Sequence, residues 1–528
     1  MSSVIAGGTP AVRAMGSHRL GWTRRALGVA GVFLAAGLIG VPSAMAADGL
    51  RTITVDASKP TGFIRSLQGV SGTPLPGDSS HPDFTPQFKQ IGVNIVRTHD
   101  VDCNGTSDID GLGPNRIFPN WSANPNDPSS YNFGPTDQAI LSIVRSGAQV
   151  EYSVGHSDLT CAGDGFNNAP PPNPALYALV VRHVAQHYND GWDHGYRLHI
   201  RYWEIWNEPD LVPFWSGTSA QFYALYADTA RALKSLHPWI EVGGPALTTN
   251  NDITGYRESL LAFIRANHVP LDFYSIHHYS DFTEDPLDFV RLADQYRQLL
   301  DSYGFTHTAI QLTEWNYGLV DNPTDAQRAA FAADSLIYMQ DSPLQRAFFY
   351  RANSNGAFTG ALINGDGTLS KTGDAYETVG SMDSTPLRLA TTGGDQNGLA
   401  VEAGRSLSSH GQINVLISNY EIPPADQGPF PNPPVVNDNF TIPGVGTFTL
   451  LPRRSVTYTD NDGYDLAVDH IPGGGSGVVV SRYLIDDSHN LTLVAQTIQH
   501  GPTVHLSAML PAPAVELIVI SPGHGWGR

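Results

Sequence analysis

The stretch Tyr202-Trp203-Glu204-Ile205-Trp206-Asn207, followed by the run Ser219 to Leu236 and then by Ile240-Glu241-Val242-Gly243-Gly244-Pro245, decides the fold. The two outer pieces are short, apolar and rich in aromatic or β-branched residues, which reads as strand. Between them Phe222, Leu225, Tyr226, Thr229, Leu233 and Leu236 recur at three- and four-residue spacing. With Ser219 as the expected cap and His237-Pro238 as the stop, this is an amphipathic crossover helix. Two strands joined in this way lie parallel in one sheet.

The unit repeats in both directions. Strand-like runs occur at Ser66 to Ser71, Asn94 to His99, Val150 to Val154, Tyr202 to Asn207, Ile240 to Pro245, Phe273 to Tyr279, Ile310 to Trp315 and Ala347 to Arg351, with helical patterns between them. Eight strand-helix units over roughly 320 residues predict a closed (β/α)8 TIM barrel. An open doubly wound sheet would usually carry fewer strands and a Gly-rich phosphate turn after the first, and none is present. After Ser384 the helical periodicity stops. Leu387 to Ala390, Leu399 to Glu402, Ile413 to Ser418, Thr447 to Leu451, Ser455 to Thr459, Gly477 to Leu484, Leu491 to Thr497 and Val515 to Ile520 read as strands separated by Gly, Pro, Asn and Asp clusters. The expected organisation is α/β: a catalytic barrel over residues 47–384 and a C-terminal β-sandwich over 385–528. The alternating segment Arg51 to Ala57 is a candidate extra strand for the sandwich, and the proline-rich stretch Pro423 to Pro434 is a loop.

Composition narrows the function. Of 528 residues 41% are hydrophobic, too many for a disordered chain. Fifty acidic side chains against 30 basic ones give a net charge of −20, which argues against nucleic acid or an anionic membrane surface as partner. At the N-terminus Arg24-Arg25 precede an uncharged run from Ala26 to Val41 and then Pro42-Ser43-Ala44-Met45-Ala46, the pattern of a cleaved export signal. Residues 1–46 are therefore expected to be a signal peptide, of Sec or twin-arginine type, leaving a secreted or periplasmic protein with no membrane span. In such a compartment Cys103 and Cys161, the two cysteines of the chain, are candidates for one disulfide, the alternative being two separate thiols. His183 and His187 are four apart on a predicted helix, but no glutamate follows His183 as a zinc-protease motif requires. Neither a metal nor another cofactor is expected.

Chemistry in a (β/α)8 barrel sits at the C-terminal ends of the strands. The fourth run continues into Asn207-Glu208-Pro209-Asp210, and the seventh ends Thr313-Glu314-Trp315-Asn316. Each delivers a glutamate to the rim, from opposite sides of the mouth. At ~5–5.5 Å one carboxylate can attack an anomeric carbon while the other protonates the leaving oxygen; a larger gap would mean inversion. Asn207 and Glu208 are neighbours, so a regular strand would send them to opposite faces. A bulge or an early strand end is needed for both to reach a ligand.

These residues, together with Phe214-Trp215, Gly243-Gly244-Pro245-Ala246 and Ser275-Ile276-His277-His278-Tyr279, resemble glycoside hydrolase family 39, which holds β-xylosidases and α-L-iduronidases. The resemblance runs from about Gly92 to Gly380. It implies a retaining glycosidase without cofactor, acting on an oligosaccharide or polysaccharide, with Glu208 as acid/base and Glu314 as nucleophile. Asn207 would bond the sugar 2-hydroxyl. Arg97, His99, His277, Tyr279 and Trp315 would line the pocket, with Tyr279 orienting Glu314. The chain departs from the family at the end of the eighth run, where a stacking tryptophan gives way to Phe348-Phe349-Tyr350-Arg351-Ala352-Asn353. Arg351 could there meet a carboxylate. The reading is thus β-xylosidase-like, with an acidic or bacterial exopolysaccharide as alternative substrate and a non-catalytic carbohydrate-binding barrel as the remaining possibility. The sequence does not fix the oligomeric state.

Overall fold

The computed structural model describes residues 50–74, 83–98, 117–155, 168–212, 214–248, 255–318, 323–353, 360–408, 411–428, 439–442, 446–449, 451–458, 463–472 and 474–523. The export segment at residues 1–46 lies outside them, as do His99, Cys103 and Cys161.

The chain opens on β1 (Arg51–Phe63) and then builds a barrel. Its staves are β2 (Gly69–Ser71), β3 (Ile95–Arg97), β4 (Gln149–Val154), β5 (Tyr202–Ile205), β6 (Glu241–Thr248), β7 (Phe273–Tyr279), β8 (Ala309–Asn316) and β9 (Leu344–Phe349). Every adjacent pair is parallel, and β2 also pairs with β9, so the barrel is closed. In turn α1 (Thr85–Gln90), α2 (Gly134–Ser146), α3 (Pro174–Asn189), α4 (Ser219–Leu236), α5 (Tyr256–Ala266), α6 (Asp288–Ser302) and α7 (Asp325–Met339) bridge successive staves, and α8 (Lys371–Ser381) follows the last. This is the predicted (β/α)8 TIM barrel.

Local chemistry sets the helix starts. At α4 the cap is Thr218 rather than the expected Ser219: the Thr218 hydroxyl accepts from the Gln221 N–H, and the Gln221 side chain returns to the Thr218 backbone. Ser219 is the first helical residue. That reciprocal box satisfies two otherwise orphaned N–H groups, and Thr324 with Gln327 repeats it at α7.

The second region is mostly sheet. β10 (Leu387–Thr392), β11 (Leu399–Arg405), β12 (Ile413–Asn419), β15 (Gly463–Asp469), β16 (Val478–Ile485), β17 (Thr492–Gln499), β18 (Val504–Met509) and β19 (Ala514–Pro522) join β1 in one nine-stranded sheet, ordered β17-β16-β19-β12-β11-β10-β1-β15-β18. A separate hairpin, β13 (Asn439–Ile442) with β14 (Gly446–Thr449), interrupts the series. β1 sits between β10 and β15, antiparallel to one and parallel to the other. One face of the sheet folds over a core in which Ile53 and Val55 meet Val415, Ile417, Leu466, Val468, Ile518 and Ile520. Ser455 to Thr459, expected as a strand, is irregular over its described residues: Val456 and Tyr458 pack on the barrel side, and the Tyr458 hydroxyl accepts from the Ile422 N–H at 2.7 Å.

The other face of this sheet lies against the barrel. Alternate residues of β12 therefore serve two cores: Val415 and Ile417 point into the sheet's own interior, while Leu416 joins the barrel cluster and the Ser418 hydroxyl donates to Ala330 O on α7 at 3.0 Å. Trapped between barrel and sheet, α7 is buried on every side. Its Ala329, Ala330, Ala332 and Ala333 are small enough to permit close approach on both. Among the described residues no helix is long and apolar enough to cross a membrane.

Candidate active site

The site is assembled where β5 stops. Its ladder ends with Trp206 N–H donating to Val154 O at 2.7 Å, after which Trp206 and Glu208 take left-handed φ values of +73° and +45°. The chain thus leaves the pleat early, as the adjacency of Asn207 and Glu208 required, and both side chains are drawn into the mouth. Left-handed backbone costs about 1–3 kcal/mol per non-glycine residue and persists only where surroundings over-determine it. Here the Glu208 N–H is held by Ala246 O at 3.1 Å, and the Trp206 indole donates to Phe214 O at 3.0 Å while packing edge-on to Trp215. The indole also lies over the end of β4, where a Cβ on Gly155 would come within 2.8 Å of Trp206 Cα and ring. Only glycine fits there.

Across the mouth, Glu314 comes from β8. Ile276 pairs with Leu312 but His277 with Glu314, so Thr313 is an extra residue in β8, and this bulge re-aims the glutamate. Glu208 and Glu314 are 8% and 5% exposed, open just enough to meet a ligand. Each has a fixed partner. His277 Nδ1 lies 2.8 Å from Glu208 Oε1 and 3.5 Å from Glu314 Oε2, so the imidazole bridges the pair. The Tyr279 hydroxyl donates to Glu314 Oε2 at 2.7 Å. Burial, and then the charge of Glu314, raise the Tyr279 pKa well above its ordinary value, so the phenol stays a donor.

Arg97 ties the site together from below. Its Nε donates to Glu204 Oε2 at 2.6 Å, Nη1 to Glu314 Oε1 at 2.7 Å and Nη2 to Asn207 Oδ1 at 2.7 Å. With Asn207 Oδ1 occupied, its NH2 group is the end that faces a ligand. Arg97 is fully buried, so it supports the pocket rather than lining it, which corrects the expectation of direct substrate contact.

Trp315 is also corrected. Alternation along β8 turns it away from its inward neighbour Glu314, and it packs among Phe289, Phe349 and Tyr376 with no exposed surface. It is a core residue of the helix layer. His278 alternates outward in the same way beside Phe289, and burial depresses its pKa to about 3, leaving it neutral. Arg351 stands just beyond β9, its guanidinium 3.7 Å from where a Cβ on Gly72 would be. The Tyr350 ring lies edge-on to Tyr279, and the Asn316 amide donates to Tyr350 O at 2.6 Å, locking the eighth stave to the seventh.

Sequence reading missed the polar and charged groups that pack with Arg97 inside the barrel. Glu204, Glu151 on β4, Gln311 on β8 and Arg346 on β9 lie below Arg97. Burial, reinforced by the charge of Glu204, pushes the Glu151 carboxyl well above the usual range. Oriented to donate, the Gln311 amide reaches the two Glu151 oxygens at 2.9 and 2.7 Å. Arg346 donates to the Tyr202 hydroxyl at 2.8 Å. Glu204 offered a signal in retrospect: an acid in the middle of an otherwise apolar strand has to be paired.

Among the described residues, Glu208, His277 and Glu314 are the group whose ligand atoms lie close enough to hold a metal ion, all within 4.8 Å of one another. The hydrogen bonds of His277 account for the same spacing. Chemically, the arrangement offers two carboxylates on opposite sides of a mouth, one anchored by a cation and a phenol, the other by an imidazole.

Four likenesses to known proteins bear on this geometry. The sequence profile of glycosyl hydrolases family 39 matches residues 170–371. A β-xylosidase of Geobacillus stearothermophilus is 33% identical over 217 residues, which is 35% of this chain and 41% of that one, so the match spans about two fifths of the curated relative. The crystal structure of a glucosidase from Croceicoccus marinus superimposes with a TM-score of 0.81 at 33% identity, covering 90% of this chain and 99% of that one. A family 39 enzyme from Xanthomonas axonopodis pv. citri shares the fold, with a TM-score of 0.65 at 16% identity.

Proposed function

Because the chain belongs to glycosyl hydrolases family 39, we propose that it is a retaining β-glycosidase that works by double displacement. The observation that carries this reading is the pairing of Glu208 and Glu314, with carboxylate oxygens within 4.8 Å of each other. That bound, between one oxygen of each, fits the close-set carboxylates of retaining enzymes, ~5–5.5 Å apart. Glu314, ionised and aimed by Arg97 and Tyr279, attacks the anomeric carbon. Glu208 gives its proton to the glycosidic oxygen as that bond breaks, and the aglycone leaves. In the second half Glu208 takes a proton from water, the hydroxide adds to the anomeric carbon, and Glu314 departs as carboxylate. His277 holds Glu208 in line through both halves. The free NH2 of Asn207 donates to the sugar 2-hydroxyl, a contact that strengthens as positive charge grows at the neighbouring carbon.

The substrate in this reading is a β-xyloside or a β-glucoside, sugars that differ by the hydroxymethyl group at C5. The xylosidase likeness over the barrel supports the first and the full-length likeness to a glucosidase supports the second. Arg351 at the rim keeps an acidic sugar as a further arm of the test. The N-terminal Arg24-Arg25, apolar run and Ala44-Met45-Ala46 support export, with cleavage after Ala46.

The test is hydrolysis of aryl β-xyloside, β-glucoside, β-galactoside, β-glucuronide, α-arabinoside and α-iduronide by wild type, Glu208→Ala and Glu314→Ala, with azide added. Wild type should release a sugar of retained configuration. Each substitution should lose ~10²–10⁴-fold, with azide restoring Glu208→Ala as the β-azide on activated substrates. Product of inverted configuration, or full activity without Glu314, would refute the mechanism.

A further inference from the structure

The nucleophile's environment contains more charge than the reaction uses. Glu204 is fully buried and donates nothing to the pocket; its Oε2 takes Arg97 Nε at 2.6 Å, and its Oε1 has no hydrogen-bond partner among the described residues. All of its bonding is therefore spent on one arginine. A guanidinium is a rigid planar fork, so fixing Nε fixes the plane and the directions of both Nη groups. Those two nitrogens meet Glu314 Oε1 and Asn207 Oδ1, each at 2.7 Å.

We propose that Glu204 is the positioning residue of this site: it locks Arg97 so that the fork meets Glu314 and Asn207 together, and its negative charge prevents Arg97 from neutralising the nucleophile alone. This rests on the reading of Glu314 as nucleophile. One cation is divided between two anions. Glu314 is held in place by Arg97 but keeps more of its basicity than a private ion pair would leave it.

The groups that face this cluster fit that role. From β4 comes Glu151, whose carboxyl is pushed up by burial and then by the charge of Glu204, with a smaller part from Glu241 on β6, and whose oxygens meet the Gln311 amide. β5 brings Glu204 and, beyond its end, Glu208. β7 supplies His277 and Tyr279, and β8 supplies Gln311 and Glu314. Arg346 of β9 lies with its guanidinium 4.3 Å from the Tyr202 ring centroid and so counters charge at the floor rather than at the mouth. Because Glu204, Asn207 and Glu208 belong to one five-residue segment, the residue that aims the nucleophile sits on the strand that leads into the turn presenting the acid.

The experiment compares pH profiles of kcat/KM for wild type, Glu204→Gln and Glu204→Asp on whichever aryl glycoside wild type hydrolyses, with melting temperatures as control. Glu204→Gln keeps an acceptor for Nε but removes the charge. Arg97 then serves Glu314 alone, and the acidic limb should move down by about one pH unit, with kcat falling and KM nearly unchanged. Glu204→Asp keeps the charge but withdraws it by a methylene; the limb should stay while kcat falls on the order of 10²-fold through misplacement. A folded Glu204→Gln whose limb is unmoved or rises overturns the proposal, and if that variant does not fold, a Glu204→Asp enzyme with the wild-type rate does so instead. Activity that requires Glu208 and Glu314 while ignoring Glu204 removes only this inference; a wild type inactive on every glycoside removes the functional reading as well.

Discussion

Replacing Tyr279 by phenylalanine deletes one oxygen atom, and the structure says what that atom does. Its hydroxyl donates to Glu314 Oε2 at 2.7 Å, in a site where the glutamate's other oxygen accepts from Arg97 at 2.7 Å. A hydrogen bond to a buried charge is worth about 1.5–3 kcal/mol. All of it stabilises the carboxylate form, because a phenol whose own pKa is raised by burial and by Glu314 offers only its proton. At 1.36 kcal/mol per unit, the pKa of the nucleophile rises by about one to two units. The assay is the pH dependence of kcat/KM on an activated aryl glycoside, whose acidic limb reports ionisation of Glu314 in the free enzyme. It should move up by that amount, opposite in sign to Glu204→Gln. At the optimum, the second half-reaction should slow more than the first, since Glu314 leaves as an anion that has lost a donor. A limb that stays put or moves down would refute the argument, since no compensating donor could then be absent.

Other outcomes follow from the same geometry. Asp334 on α7 is fully buried and burial raises its carboxyl pKa well above the usual range, so its contribution to stability is present at pH below the unfolded value of ~4 and is lost as pH rises through the raised folded value. Asp334→Asn should therefore melt higher than wild type near pH 7, with the gap closing below about pH 4 in a thermal scan. Arg454 pairs with Asp285 at 2.5 and 2.9 Å between sheet region and barrel. Arg454→Ala leaves that aspartate buried and unpaired, and denaturant titration should show a loss of about 3 kcal/mol, largely recovered by adding Asp285→Asn. Gly155→Ala pushes a methyl into Trp206, and kcat/KM should fall on the order of 10²-fold as the Asn207-Glu208 turn shifts.

The barrel was legible because its signal is periodic: eight apolar runs with amphipathic helices between them leave few alternatives, and strand ends are where a barrel exposes polar side chains. The need for an early end to β5 was also readable, since adjacent Asn207 and Glu208 cannot share a face of a pleated strand. Trp315 was misread for the complementary reason. A tryptophan beside a catalytic glutamate suggests sugar stacking, yet the pleat that turns Glu314 inward must turn Trp315 outward. The interior charges were invisible because Arg97, Glu204, Glu151 and Arg346 come from four staves, and their pairing exists only once the barrel closes. In the sheet region, β18 was missed although Val504, Leu506 and Ala508 alternate with His505 and Ser507: it is a short edge strand in which only Val504 is buried, so its apolar face is weak. Ser455 to Thr459 looked like a strand because its apolar residues alternate, although they pack on the barrel rather than join a ladder.

The place of β1 in the sheet has a consequence for how the molecule comes into being. Arg51–Phe63 precedes the whole barrel in the chain, yet its neighbours, Leu387–Thr392 and Gly463–Asp469, are translated only after the barrel. At ~5–20 residues per second the apolar Ile53, Val55 and Ala57 wait on the order of tens of seconds for a partner. Throughout that interval a barrel complete in all its staves would still expose the alanine face of α7, which only the sheet covers. A gene truncated after the barrel should accordingly yield aggregates rather than a minimal enzyme. A circular permutant that carries residues 51–63 after the C-terminus would shorten the wait, and it should raise the soluble yield without altering the catalytic centre.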